Sequence, residues 1–149
     1  PDLQANHGLA AWSEREVTRG VARITAPLVD LLVPQMLNFE SIGGVSFKKG
    51  CYPGQEVVAR SQFRGAIKRR TYLVEVQSSA NGLPAVGSEV LAEGSEESVG
   101  VLVQTDVVQT EGSLALVCIQ VSSADLPLKA ASGAALKLMA LPYPLLADI

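Results

Sequence analysis

The pattern of apolar and polar positions changes period near Lys68. Beyond it, alternation sets in. Tyr72, Val74 and Val76 fall on one face of a strand expected from Arg69 to Gln77. Strand-like runs recur at Glu89–Ala92, Ser98–Val108, Ser113–Ser122 and Ala134–Leu141. Asn81-Gly82, Pro84, Gly94, Gly112, Pro127 and Gly133 punctuate them. Short strands at this spacing indicate a small antiparallel barrel or sandwich. Cys118 lies within the nearly continuous apolar run Leu114–Val121 and is read as core.

Upstream of Lys68 the signals are helical and turn-rich. Ser13 and Glu16 match a capping box, with Ser13 as N-cap. Trp12 and Val17 are placed to form a hydrophobic staple around it. Gly20, after Arg19, is a helix stop. Val21–Thr25 is expected to continue as a strand until Ala26-Pro27. Pro34 opens a short helix expected over Gln35–Ser41, closed by Gly43-Gly44. Pro53-Gly54 is a turn, and Gln55–Phe63 reads as a helix. Arg60, Arg64 and Lys68 are spaced by four and share a face if that helix lasts; Gly65 puts part of the cluster on the following loop.

Composition is globular, 48% hydrophobic and 18% charged over 149 residues, enough for one domain or two small ones. Net charge is -3. Charge is unevenly placed: Lys48, Lys49, Arg60, Arg64, Lys68, Arg69 and Arg70 crowd a span whose one acid is Glu56. An anionic partner is one reading, and a solvated positive face is the other. With Phe63, Tyr52 and Tyr72, the span suits RNA phosphates and base stacking. A folded pteridine with a glutamate tail fits the same inventory.

The two cysteines, Cys51 and Cys118, and the one histidine, His7, are too few for a zinc or self-contained iron–sulfur site. This cysteine usage fits a reducing compartment. A Cys-His nucleophile pair would need His7 from a loose segment. No P-loop or dinucleotide fingerprint is present, and no apolar run is long enough to span a bilayer. No signal peptide is read. The chain starts at Pro1 without methionine, as a fragment or processed product would.

The densest chemistry is at residues 44–56. Cys51 precedes a helix start and stands beside Lys48 and Lys49, features that favour a thiolate. The residues alone leave two readings, a reactive or ligand-facing thiol and a buried structural one. Trp12 also has two: the staple, which the residues favour, and a stacking surface for a flat ring.

Lys49-Gly50-Cys51-Tyr52-x-Gly54-Gln55-Glu56 resembles the signature of the YgfZ-type folate-binding proteins, relatives of the glycine-cleavage aminomethyltransferase. The flanking runs Val33–Asn38, Gly43–Lys48 and Val58–Arg69, and Leu141-Pro142-Tyr143, look like the same family. The resemblance implies an α+β chain. Residues 1–67 would be the C-terminal part of an aminomethyltransferase-like folate-binding domain, and 68–149 a small antiparallel β-barrel. It also implies a cytoplasmic folate-binding accessory protein that supports iron–sulfur enzyme maintenance and tRNA methylthio-modification; a monomer is expected. Its partners would be folate, iron–sulfur enzymes of tRNA modification and tRNA, with no membrane. The alternative is a tetrahydrofolate-dependent aminomethyl or one-carbon transferase. Folate contacts are expected from Trp12, Lys49, Gly50, Cys51, Tyr52, Gln55 and Glu56, with Cys51 as the reactive thiol. Anions are expected at Lys48, Arg60, Arg64, Lys68, Arg69 and Arg70, and no metal is expected. Trp12 with Gly20–Ile24 matches the family's tryptophan and Gly-x-Pro-x-Ile stretch, with Ala22 in place of the proline. Family members carry a long N-terminal portion that this chain lacks, so its own folate affinity is expected to be weak or absent.

Overall fold

Six strands close into a barrel in the computed structural model, which describes residues 8–63, 67–77, 82–108 and 112–146. They are β1 (Arg69–Val76), β2 (Glu89–Ala92), β3 (Ser98–Val108), β4 (Gly112–Gln120), β5 (Leu128–Ala130) and β6 (Ala135–Met139). The order around the barrel is β1-β4-β3-β2-β5-β6, and every pairing is antiparallel. The expected antiparallel barrel is therefore present. β5 was missed in the sequence because only three residues pair, directly after Pro127.

Alternation along the strands separates two cores. Val74, Val76, Val90, Leu102, Val117, Ile119, Leu128 and Leu136 fill the barrel interior, and Tyr72 packs against them. Leu73, Val103, Leu114, Leu116 and Cys118 point outwards, yet they too are buried. Val17, Ala22, Leu28 and Leu37 of the N-terminal segment cover them. β4 is thus buried on both faces, which is why it reads as an unbroken apolar run. Each fully buried Leu, Val or Ile contributes about 1.5–3 kcal/mol. Gly100 of β3 faces Ile119 of β4, where an added Cβ would lie 2.1 Å from the Cys118 carbonyl oxygen. Only glycine admits that approach of the two backbones.

The covering segment begins with α1 (Leu9–Thr18). This helix starts earlier than the capping box implied. Gly8 is its N-cap, with no side-chain cap, and Ser13 lies inside it. The staple is absent as well: positions five apart on a helix point to different sides, so Val17 is fully buried while Trp12 stays 61% exposed. The stop at Gly20 is as expected. Its φ is +65°, and Gly20 N–H to Val17 O (3.0 Å) with Val21 N–H to Glu16 O (2.9 Å) form a Schellman motif.

Val21–Thr25 forms no strand. A closed barrel has no free edge for it. Its tie to the barrel is a side chain: the Arg23 N–H donates to Gln104 Oε1 at 3.0 Å. The helix expected over Gln35–Ser41 is a single 3₁₀ turn, Pro34–Leu37, because Asn38 takes a left-handed conformation (φ 60°). α2 (Gln55–Phe63) has the expected bounds.

Candidate functional site

The loop before α2 and the helix itself form one wall system. Pro53 and Gly54 make the turn, Gly54 at φ +83°, and α2 opens with Gln55 N–H to Tyr52 O at 3.3 Å. Gln55, Val58 and Ala59 recur at helical spacing and face a common cavity. The loop supplies Val45, Ser46, Phe47, Lys49, Cys51 and Tyr52 to the same cavity, whose volume is about 230 Å³. Buried Gln35 fixes the helix from behind, donating from Nε2 to the Val58 carbonyl at 2.7 Å. This anchor was not singled out in the sequence; its signal is a polar residue inside the apolar stretch Leu31–Phe39.

Cys51 is a free, exposed thiol, so it is not the buried structural cysteine. Lys49 Nζ sits 4.8 Å from the centroid of the Tyr52 ring, a cation–π contact. Phe47 and Tyr52 are 41% and 43% exposed, leaving two aromatic surfaces at the cavity. Cys118 is the opposite case. It is fully buried beneath Met36, whose carbonyl lies 3.6 Å from its Sγ. Burial pushes its thiol up to about 11, against smaller opposing effects of Arg69 and Thr71. A thiol held neutral in an apolar site is inert.

Of the expected folate contacts, Lys49, Cys51, Tyr52 and Gln55 come together here. Gly50 and Glu56 are exposed beside the cavity without lining it. Trp12 lines a different cavity, also about 230 Å³, with Arg15, Glu16, Arg19 and Val21. Arg15 was not picked out in the sequence and Arg19 only as a cation at the helix end, although they lie three and seven positions after Trp12, on its side of α1 and at its C-cap.

The expected cations divide. Lys48, Lys49, Arg60 and Lys68 are exposed, and Arg69 is half-buried. Arg70 is buried: its guanidinium pairs with buried Glu40 and donates to the Leu146 carbonyl at 2.9 Å. Its charge is used within the fold, which takes it off the exposed basic surface. Arg64 lies outside the described residues, as does His7.

A polar network ties the N-terminal segment to β1 and to the segment after β6. Asn38 Nδ2 donates to the Thr71 carbonyl at 2.6 Å, and Thr71 Oγ1 donates to the Met36 carbonyl at 2.8 Å. Tyr143 Oη accepts from Asn38 Nδ2 at 3.4 Å and donates to the Gly20 carbonyl at 2.7 Å. Burial raises the Tyr143 pKa, the Asn38 hydrogen bond opposing it.

Curated relatives match the chain. The tRNA-modifying protein YgfZ of Aliivibrio fischeri strain ES114 is 44% identical over 91 residues, 61% of this chain and 26% of the relative. That of Escherichia coli O45:K1 is 43% identical over 79 residues, 53% of the chain and 24% of the relative. The matched stretch is YgfZ-like. The YgfZ-like stretch spans about a quarter of the length of these relatives. No protein-family profile matches the chain. No helix among the described residues is long and apolar enough to cross a membrane.

Proposed function

We propose that this chain belongs to a folate-binding accessory protein that supports tRNA methylthio-modification and the iron–sulfur enzymes that perform it. The YgfZ relatives, named as tRNA-modifying proteins, support the tRNA role. The observation that carries the site is Cys51, an exposed thiol lining a cavity with Lys49, Tyr52 and Gln55.

The donor set fits a flat heterocycle. Phe47 and Tyr52 offer faces for stacking, Gln55 and Ser46 offer hydrogen bonds to ring nitrogens and oxygens, and Lys49 offers a cation to a carboxylate. At about 230 Å³ the cavity falls below the roughly 300–1,000 Å³ of pockets that enclose a whole drug-sized ligand. It suits the ring of a folate and not its tail, in keeping with weak affinity of this chain alone. In this reading residues 1–67 belong with an aminomethyltransferase-like folate domain, and the protein works in the cytoplasm. Cys51 responds there to the redox or one-carbon state of the ring beside it.

Complementation tests the reading. In cells lacking the protein, the full-length wild type should restore methylthio-nucleosides in tRNA, and Cys51→Ala should not. Equal restoration by both would remove the role given to Cys51.

A further inference from the structure

We propose that Lys48, Lys49, Arg60 and Lys68 form a ridge that binds the phosphate backbone of RNA. The choice of RNA rests on the tRNA-modification reading above; the choice of surface rests on charge placement alone.

Between Ser41 and Val74 the chain carries one carboxylate, Glu56. The four ridge cations are all exposed. Two other acids have cations of their own: Glu16 pairs with Arg23 and Glu40 with Arg70. Lys49 lines the same cavity as Val58 and Ala59, so the lysine loop lies beside the half of α2 that carries Arg60. Lys68 is exposed where the chain enters the barrel, just before β1, its carbonyl accepting the Val121 N–H at 2.9 Å.

A cluster of this kind on a chain of net charge -3 creates a local positive field against an acidic background. A nucleic-acid backbone presents many phosphates, and each one neutralised by a lysine or arginine releases counterions. The partly exposed rings of Phe47 and Tyr52 line the cavity with Lys49 and give unstacked bases a surface there. Rings among cations favour RNA over an acidic protein or a lipid headgroup layer.

The test is binding of a labelled, unmodified tRNA transcript to this chain across a series of KCl concentrations. The variant is Lys48→Ala/Arg60→Ala/Lys68→Ala, which leaves every cavity-lining residue in place. The control is Lys137→Ala, on the barrel beside Glu75. Each lost phosphate contact should lower the log–log salt slope by about one, so the triple variant should lose about three and bind at least tenfold more weakly near 0.1 M salt. The control should bind as wild type does. An unchanged slope and affinity in the triple variant overturns the inference, as does tighter binding to phosphatidylserine vesicles or polyglutamate than to RNA. Because Cys51 and its cavity are intact in the triple variant, loss of the RNA ridge is distinguishable from failure of the Cys51 reading: restoration of tRNA modification by Cys51→Ala tells against the latter alone.

Discussion

The Tyr143 hydroxyl donates to the Gly20 carbonyl at 2.7 Å, across 123 positions of sequence. The contact fastens the segment after the last strand onto the residue just past the C-cap of α1. Gly20 is confined by it: a Cβ there would lie 2.9 Å from Leu141 Cδ2 and 3.1 Å from the Tyr143 ring, on a backbone with φ +65°.

Removing the hydroxyl with Tyr143→Phe should destabilise the fold by about 0.5–1.5 kcal/mol, the worth of one net hydrogen bond. Gly20→Ala should be worse, since it adds both left-handed strain and a clash. Urea unfolding of the three proteins checks the order. A Gly20→Ala protein as stable as wild type would show that the cap is not packed as described.

Glu40 and Arg70 form a buried pair whose members are 6% and 5% exposed. Glu40→Ala takes the buried carboxylate away from the guanidinium and should cost about 3–5 kcal/mol. Replacing both, as Glu40→Leu/Arg70→Met, should recover most of that loss. Thermal unfolding of the single and double variants measures it, and a double variant no better than the single would argue against a charge origin.

Alkaline pH should weaken the protein in a window set by Cys118. Its folded-state pKa is raised from 9.0 to about 11 by burial. Below pH 9 the thiol is neutral folded and unfolded, so its contribution is whole. Between pH 9 and about 11 the unfolded chain releases the proton first, and stability falls by about 1.4 kcal/mol per pH unit. Tyr72 and Tyr143, also raised by burial, add to the loss above pH 10. Cys118→Ala should be less stable at neutral pH but show a shallower slope between pH 9 and 11. Equal slopes in denaturant titrations would rule out the assigned group.

The two thiols should react very differently. A thiol reagent should modify Cys51 alone in the native protein and Cys118 only in denaturant, since one is exposed and the other buried. Intact-mass spectrometry counts the adducts. Two rapid modifications without denaturant would contradict the placement of Cys118 in the core.

Much of the fold is legible in the sequence. The Pro53-Gly54 turn set the start of α2 at Gln55, and Tyr72, Val74 and Val76 did share a face, the one lining the barrel interior. Misreadings came where long-range contacts override local signals. The capping box at Ser13 lost to a helix that begins at Leu9, and Val21–Thr25 found no edge in a closed barrel. At the site, the motif around Cys51 marked the cavity, but that Trp12 lies in another cavity and Arg70 inside an ion pair are tertiary facts. Local spacing does not encode either.

The central claim is that Cys51 faces the space a folate ring would occupy, and alkylation of Cys51 tests it most directly. In the full-length protein, with Cys118 silent in the core, saturating tetrahydrofolate should slow modification of Cys51 at least about tenfold, as expected for a group inside a ligand-filled pocket. A rate unchanged by saturating tetrahydrofolate would contradict the account.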